Sequence, residues 1–442
     1  MAGLFSTADR FFKITERGST LKNEFLGGMT TFMAMSYLIF VVPSMLGDAG
    51  MPKDAVIAAT ICTTVIATLG MGLWANYPVG VAPGMGITAF FAYYVCGLMG
   101  LPWQTGLGAV FISGVAFLLL TITRLRQKII DAVPMDLKYA IVAGIGMFIA
   151  FIGMKSCGLI VANKATFVSL GDLSSPGTLL AVIGVFAIAG MMARGMSGAI
   201  IIGVLGITVA GMAMGEVPVP KSPGDVASFD FPSMAPVFME MDIMAALNVG
   251  LFSILFTLTM VDLFDGIGTL IGLARKADMM RPDGHIPDLD KALVTDSVAT
   301  MISACMGTTT AAAYIESAAG VAAGGRTGLT AVFTAMFFLV ALVFAPLVGI
   351  VPAFATAPAL IVVGALMMQD VVNINFRDFT IALPAFLIII MMPLTYSIAT
   401  GFGFGFISYV IMKTLAGRLR EVDAAMWVIA LCFAVNFGMR LA

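Results

Sequence analysis

The chain is dominated by apolar runs long enough to cross a bilayer, spaced so closely that little else fits between them. A spanning helix needs about 20 apolar residues. Runs of about that length lie at 24–46, 55–75, 79–98, 105–123, 138–160, 177–193, 197–214, 247–272, 292–306, 309–323, 328–349, 357–373, 378–395 and 398–415. A last apolar stretch, 424–441, either lies on the membrane or makes a fifteenth crossing. Only 11% of the 442 residues are charged and 60% are hydrophobic, whereas soluble domains carry about 25% charge. That balance excludes disorder, a secreted disulfide scaffold and an ordinary cytosolic enzyme. The expected fold is an all-α polytopic membrane protein with 14 transmembrane segments. The first twenty residues are charged and no cleavage site follows a short apolar core, so no cleavable signal peptide is expected.

Several chemistries are set aside early. Net charge is −2, which offers nucleic acid no basic field. Cys62, Cys96, Cys157, Cys305 and Cys432 lie in apolar segments without a CxxC spacing, so they read as small hydrophobes. His285 is the only histidine, which argues against a metal site. No Gly-rich element is followed by Lys-Ser or Lys-Thr, so no ATP-driven engine is encoded. No HExxH occurs, nor a Gly-x-Ser-x-Gly with a usable histidine. No cofactor, no metal and no enzyme activity are expected.

Basic residues set an orientation, because cytoplasmic loops are enriched in Lys and Arg. With the N-terminus in the cytoplasm and fourteen crossings, only Lys53, Lys155, Lys164 and Lys221 of the 23 Lys and Arg residues fall outside, Arg440 being unassigned. Seven spans, an acidic loop at about 215–240, then seven more suggest two repeats. An odd number per half forces the halves into opposite orientations, the inverted-repeat plan of many secondary transporters. The third span of each half is short and interrupted. One reads Ala82-Pro83-Gly84-Met85-Gly86-Ile87-Thr88-Ala89-Phe90-Phe91; the other reads Gly307-Thr308-Thr309-Thr310-Ala311-Ala312-Ala313-Tyr314-Ile315-Glu316-Ser317. Backbone left unpaired inside a membrane is tolerated only where protein buries it or it lines a cavity. Spans 3 and 10 are therefore the expected places of a midplane binding site.

Acids within spans cost roughly 2.5–3.5 kcal/mol each on insertion scales, and few are present. Asp262 and Asp265 lie three apart in span eight, and Glu316 lies in span ten. Asp265 and Glu316 read as a buried carboxylate pair that accepts hydrogen bonds from a neutral, NH-rich ligand and takes up a coupling proton. Asp262 reads either as a second proton site or as an orienting group. Asp296 reads either as a proton site or as the partner of Lys291. Glu24, at the start of span one, is expected at the interface. Phe90, Phe264 and Tyr314 offer rings for a flat heterocycle. Thr88 and Thr310 offer hydroxyls.

Together these residues resemble the adenine/guanine/hypoxanthine permease branch (AzgA-like) of the nucleobase–ascorbate transporter superfamily. The similarity covers about residues 11–416. It rests on Thr30-Thr31-Phe32-Met33-Ala34-Met35-Ser36-Tyr37, Ala82-Pro83-Gly84-Met85-Gly86, Phe264-Asp265 with Gly268-Thr269, Tyr314-Ile315-Glu316-Ser317-Ala318-Ala319-Gly320-Val321 with Gly324-Gly325-Arg326-Thr327-Gly328, and Pro393-Leu394-Thr395-Tyr396-Ser397-Ile398-Ala399. The resemblance implies a cytoplasmic N-terminus (1–22), a core domain (23–124 and 247–349), a gate domain (125–214 and 350–416), an extracytoplasmic loop (215–246) and a C-terminal hydrophobic segment (417–442). It implies a purine held between core and gate by Asp265 and Glu316, with main-chain groups at Ala89–Phe90 and Tyr314. It also implies alternating access and a homodimer. Four departures from such relatives remove polar groups: Gly266 where they commonly have Thr, Thr88 where many have Asn, Val42-Pro43 for Asn-Pro, and Ala311-Ala312-Ala313 for a Thr-containing stretch. The expected function is proton-coupled import of adenine, guanine or hypoxanthine across the cytoplasmic membrane. The alternatives are a uniporter, a carrier of another neutral heterocycle, or an anion transporter on the same architecture.

Overall fold

The computed structural model describes residues 8–123, 125–248, 252–279 and 286–441; His285 lies outside them. Eight helices are long and apolar enough to span a membrane, and five shorter apolar helices accompany them among the described residues.

The first apolar run, one membrane-length stretch over Leu21–Asp48, loses its regular α-helical bonding at Ser36–Tyr37, where both residues keep right-handed helical dihedrals, a feature not expected from its composition. Helix α1 (Leu21–Met35) stops at Ser36, whose hydroxyl donates to the Met33 carbonyl, and α2 (Leu38–Asp48) restarts after Tyr37. Pro43 inside α2 has no N–H to return to the Ile39 carbonyl, so its first turns propagate weakly. Helix α3 (Lys53–Leu73) follows. The third run breaks as expected: strand β1 (Val81–Pro83), a short helix α4 (Met85–Ala89), then π-helical turns over Phe90–Leu98. Next come α5 (Trp103–Ile122), a short connector α6 (Leu125–Ala132), α7 (Met135–Ser156), the hairpin β2 (Ile160–Asn163) and β3 (Phe167–Leu170), α8 (Pro176–Ala193), α9 (Ala199–Ala213) and α10 (Ile243–Asn248). The rest is α11 (Phe252–Lys276), α12 (Leu289–Met306), β4 (Ala311–Ala313), α13 (Ser317–Ala322), α14 (Gly328–Ala341), α15 (Ala345–Ile350), α16 (Ala353–Met367), α17 (Phe379–Thr395), α18 (Ile398–Leu415) and α19 (Ala424–Leu441).

Two packed groups result, each drawing helices from both ends of the chain. Helices α1–α5 pack with α11–α14; α7–α9 pack with α16–α18. Strands β1 and β4 pair antiparallel in the heart of the first group, with Val81 opposite Ala313 and Pro83 opposite Ala311. Backbone there must find partners, because lipid offers none. The Gly84 N–H donates to the Thr310 carbonyl (2.9 Å), Tyr314 to Gly80 (3.0 Å), Gly80 to the Ser317 hydroxyl (3.0 Å) and Val81 to the Thr68 hydroxyl (3.0 Å). The alanines of β4 have no bulk to hold the strands apart, which is where the residues departing from the family pattern fit.

Glu24 is not interfacial. It is fully buried and accepts from the N–H groups of Arg326 (3.1 Å), Thr327 (3.3 Å) and Thr330 (3.0 Å) and from the Thr330 hydroxyl (2.5 Å). The start of α14 would otherwise leave these donors unpaired, except the Thr330 N–H, which also reaches the Thr327 carbonyl (3.1 Å). Its carboxylate is therefore a cap supplied from 302 residues away. Glu24→Ala should strand three donors, the N–H groups of Arg326 and Thr327 and the Thr330 hydroxyl, and cost about 3 kcal/mol or more, read as a lower melting temperature of the purified protein; an unchanged melting temperature would contradict it.

Near the end of the chain, α19 packs on α18 and α6, with Phe433 set between Phe256 and Phe406. A charged cluster joins α17, α18 and the turn before α19. Arg418 meets Glu421 (2.6 Å) and Asp378 (2.6 Å), and Lys413 meets Glu421 (2.8 Å). Hydrogen bonds from Arg418 and then Lys413 hold the Glu421 carboxyl down, from its ordinary 4.5 to about 2. A depressed acid stabilises the fold above its unfolded value and loses that contribution as pH falls through the folded one. Attachment of α19 should therefore loosen between about pH 4.5 and pH 2, and Glu421→Gln should loosen it already at pH 7. Limited proteolysis around residue 422 reads this out; pH-independent resistance would refute it.

Candidate functional site

The site grows from the two broken segments and from the irregular turn at Tyr37. Tyr37, between α1 and α2, is 1% exposed, and its hydroxyl donates to Glu316 Oε1 at 2.6 Å. Glu316 sits at the start of α13, directly after β4 and Tyr314. A carboxylate ends up beside the broken segments because α13 packs on α1, which brings residues 279 apart into contact. The bond to Tyr37 occupies part of its accepting capacity, since a carboxylate has about four lone-pair sites.

The other segment presents Thr88 on α4. The Thr88 hydroxyl donates to the Gly84 carbonyl (2.8 Å) and lies 2.6 Å from the Thr309 hydroxyl, locking the two broken segments together. The hydroxyls of Thr308 and Thr310 are fully buried and make no hydrogen bond among the described residues. Buried polar atoms without partners are costly, so these two hydroxyls are spare hydrogen-bonding capacity in the stretch that leads into β4. Tyr314 is 6% exposed and donates to the Pro83 carbonyl. Phe90 is buried and stacks on Tyr94, centroids 5.0 Å apart; Ala89 is buried beside it. Against α4 presses the second helix group. A Cβ on Gly86 would come within 2.9 Å of Ile145 on α7 and 3.5 Å of Ile398 on α18, so a glycine lets the two groups close here.

Of the acids expected in the site, Asp262 is 2% exposed on α11. The side chains of Phe264 and Asp265 lie outside the described residues; their backbone continues α11 three turns before its end. Asp296 departs from expectation. Its partner is Arg126, not Lys291, which instead meets Asp288 (2.8 Å). The Arg126–Asp296 pair is 3.2 Å long, with side chains 1% and 2% exposed. Connector α6 drives the arginine inward, where the guanidinium covers the Phe117 ring (3.9 Å) and reaches the Leu293 carbonyl (3.4 Å). Asp262 lies within electrostatic reach of it. Lys291 lies too near the surface to serve: its side chain is 49% exposed. The pair also explains Gly266: a Cβ there would meet Asp296 Oδ2 at 2.5 Å and Arg126 Nη2 at 3.0 Å. The missing threonine of the family pattern is room for a buried arginine.

Sequence reasoning missed two residues. Tyr37 sits inside an uninterrupted apolar run, and the irregular turn beside it carries no composition signal. Arg126 was counted among the cytoplasmic positive charges, where its place in a basic stretch hid it. An amphipathic connector with one cation on its apolar side would have been the clue.

Broken segments, a part-buried carboxylate and membrane-length helices together define a polytopic membrane permease. The chain belongs to the Permease family, whose model matches residues 22–404, the nucleobase–ascorbate transporter family that the motifs resemble. Its members are transporters, not enzymes. It is 44% identical over 430 residues to the adenine permease AdeQ of Escherichia coli (strain K12), covering 97% of this chain and 96% of that one. It is 40% identical over 433 residues to the guanine/hypoxanthine permease PbuO of Bacillus subtilis (strain 168), covering 96% and 99%. Among solved structures, the transmembrane domain of the cyanobacterial bicarbonate transporter BicA superposes with a TM-score of 0.59 at 17% identity, over 85% of this chain and 96% of that one. That likeness establishes the fold and nothing more.

Proposed function

We propose that this protein imports purine nucleobases across the cytoplasmic membrane by proton symport. The observation that carries the reading is the Tyr37–Glu316 pair set against two paired broken segments. A carboxylate there accepts N–H groups of a neutral base, and the free hydroxyls of Thr308 and Thr310 meet its ring nitrogens or carbonyl. The relatives named adenine and guanine/hypoxanthine permeases support a purine.

In this reading the first helix group is the core and the second the gate, fourteen spans form two inverted halves, and the N-terminus is cytoplasmic. Rocking of core against gate exposes the base to each side in turn. Glu316 and Asp265 bind it, Asp262 assists, and at least one of these acids carries the proton. Asp296, committed to Arg126, becomes a structural acid. The working unit is a homodimer joined through the gate. An anion reading is not favoured, because a carboxylate at the site repels anions.

The test is uptake by proteoliposomes together with thermal stabilisation by purines, pyrimidines and inorganic anions. Binding to the native state raises its apparent stability, by about 2.7 kcal/mol at a hundredfold excess over Kd. Stabilisation by one or two purines, with uptake rising when the lumen is made alkaline, is the expected result. Stabilisation by bicarbonate or sulfate alone would overturn the substrate, and purine uptake indifferent to the pH gradient would overturn the coupling.

A further inference from the structure

A polar cavity lies apart from the Tyr37–Glu316 site, at the end of the molecule where α2, α7 and the α15–α16 junction meet. Its volume is about 480 Å3, within the range of small-molecule sites. It runs along α2 from Phe40, one turn beyond Tyr37, to Asp48. Phe40 to Asp48 is eight steps of about 1.5 Å rise, so that wall is about 12 Å long. Both helix groups line it: Ser44, Asp48 and Tyr93 from the first, Lys155 and Thr356 from the second.

Its chemistry is unusual for a surface cleft. Asp48 accepts a hydrogen bond from the Tyr93 hydroxyl at 3.0 Å. The Lys155 ammonium stands over two rings, 5.5 Å from the Tyr93 centroid and 5.1 Å from that of Tyr396. Tyr396 lies behind the lining and is packed edge-on by Tyr93, Phe148 and Phe151, which supports the Tyr93 ring that faces the cavity. Asp48 shares the cavity with Lys155 and Lys53 and, among the described residues, forms an ion pair with neither, leaving an acceptor beside two cationic donors.

We propose that this cavity is an entry site where an incoming planar heterocycle with both N–H donors and ring acceptors docks before reaching Glu316. A purine nucleobase is such a molecule, so the inference rests on the transport reading and extends it. The base stacks on Tyr93, donates to Asp48 and accepts from Lys155. An aromatic floor rewards a flat ring of any substituent pattern, while the acid and the cation select molecules that present donor and acceptor edges together. Because the cavity walls come from both helix groups, the site exists only while these groups stand apart at this end.

Lys155→Met in proteoliposomes separates the possibilities. The expected result is a KM for purine uptake raised about tenfold with a maximal rate changed less than twofold, as for loss of a ground-state contact. Asp48→Asn should act in the same direction. A direct readout is labelling of Ser44→Cys by a membrane-impermeant maleimide, corrected for labelling of the parent chain; adenine, guanine or hypoxanthine should slow it. An unchanged KM with unprotected labelling overturns the entry site while purine uptake by the parent stands. A fall in maximal rate alone, without protection, makes Lys155 a contact between helix groups and also overturns it. No uptake or stabilisation of the parent by any purine removes the transport reading and the entry site with it.

Discussion

Glu316→Gln should abolish concentrative purine uptake and lower purine affinity by about 10- to 100-fold, the cost of one charge-assisted hydrogen bond at about 1.5–3 kcal/mol. The variant keeps the size of the side chain and can keep a bond to the Tyr37 hydroxyl, now through its amide oxygen. Folding should therefore survive, and the melting temperature without ligand should stay within a few degrees. What the amide lacks is a negative charge to attract N–H donors and a site to take up a proton. Tyr37→Phe is the companion variant. It removes the 2.6 Å donor and leaves Glu316 free to reorient, so it should lower uptake without abolishing it. If Glu316→Gln still accumulates purine against a gradient, this carboxylate is neither the coupling group nor the main contact.

The second large effect concerns stability. Arg126→Met should destabilise the protein by about 3–5 kcal/mol, because removing one partner of a buried pair leaves the other charge without compensation. Asp296 is 1% exposed and has no lysine within reach to replace the arginine. Adding Asp296→Asn to Arg126→Met should recover much of that loss, since the stranded charge disappears. Gly266→Thr should resemble Arg126→Met in direction, as its side chain must displace the Asp296 carboxylate. Thermal unfolding of the four proteins decides the matter. Equal melting temperatures for parent and Arg126→Met would mean that the pair carries no stability. A double variant no better than the single would mean that the guanidinium matters through its packing on Phe117.

These two experiments differ in how much of their basis was legible in the chain itself. Glu316 stood out in the sequence because an acid inside an apolar run is expensive, and because the Gly- and Thr-rich stretch before it cannot sustain a helix. The structure places it at the start of a six-residue helix after a strand of three alanines. The strand pairing was not legible: Val81 opposite Ala313 joins positions 232 apart, and neither segment has the alternation of an ordinary strand. Asp296 reads from the sequence as either a proton site or the partner of Lys291, and the structure pairs it with Arg126. Lys291 is close along the chain, but on its helix it points outward and meets Asp288. Glu24 was placed at the interface because it begins an apolar run; its burial follows from the start of α14, whose donors it satisfies.

The sequence by itself determined the membrane-spanning character, the positions of the long helices, the two internal breaks of spans 3 and 10 and the family. Each is written in local composition: about 20 apolar residues make a span, and Gly, Pro and Thr clusters interrupt one. Only the tertiary structure decided which polar groups meet. Tyr37 with Glu316, Arg126 with Asp296 and Glu24 with Thr330 are contacts across 279, 170 and 306 residues. A hydrogen bond or ion pair requires atoms within about 3 Å, and no periodicity along a chain encodes that distance between helices so far apart in order. Burial makes each such contact obligatory once formed, because a polar group cut off from water must be satisfied by whatever the packing has brought beside it.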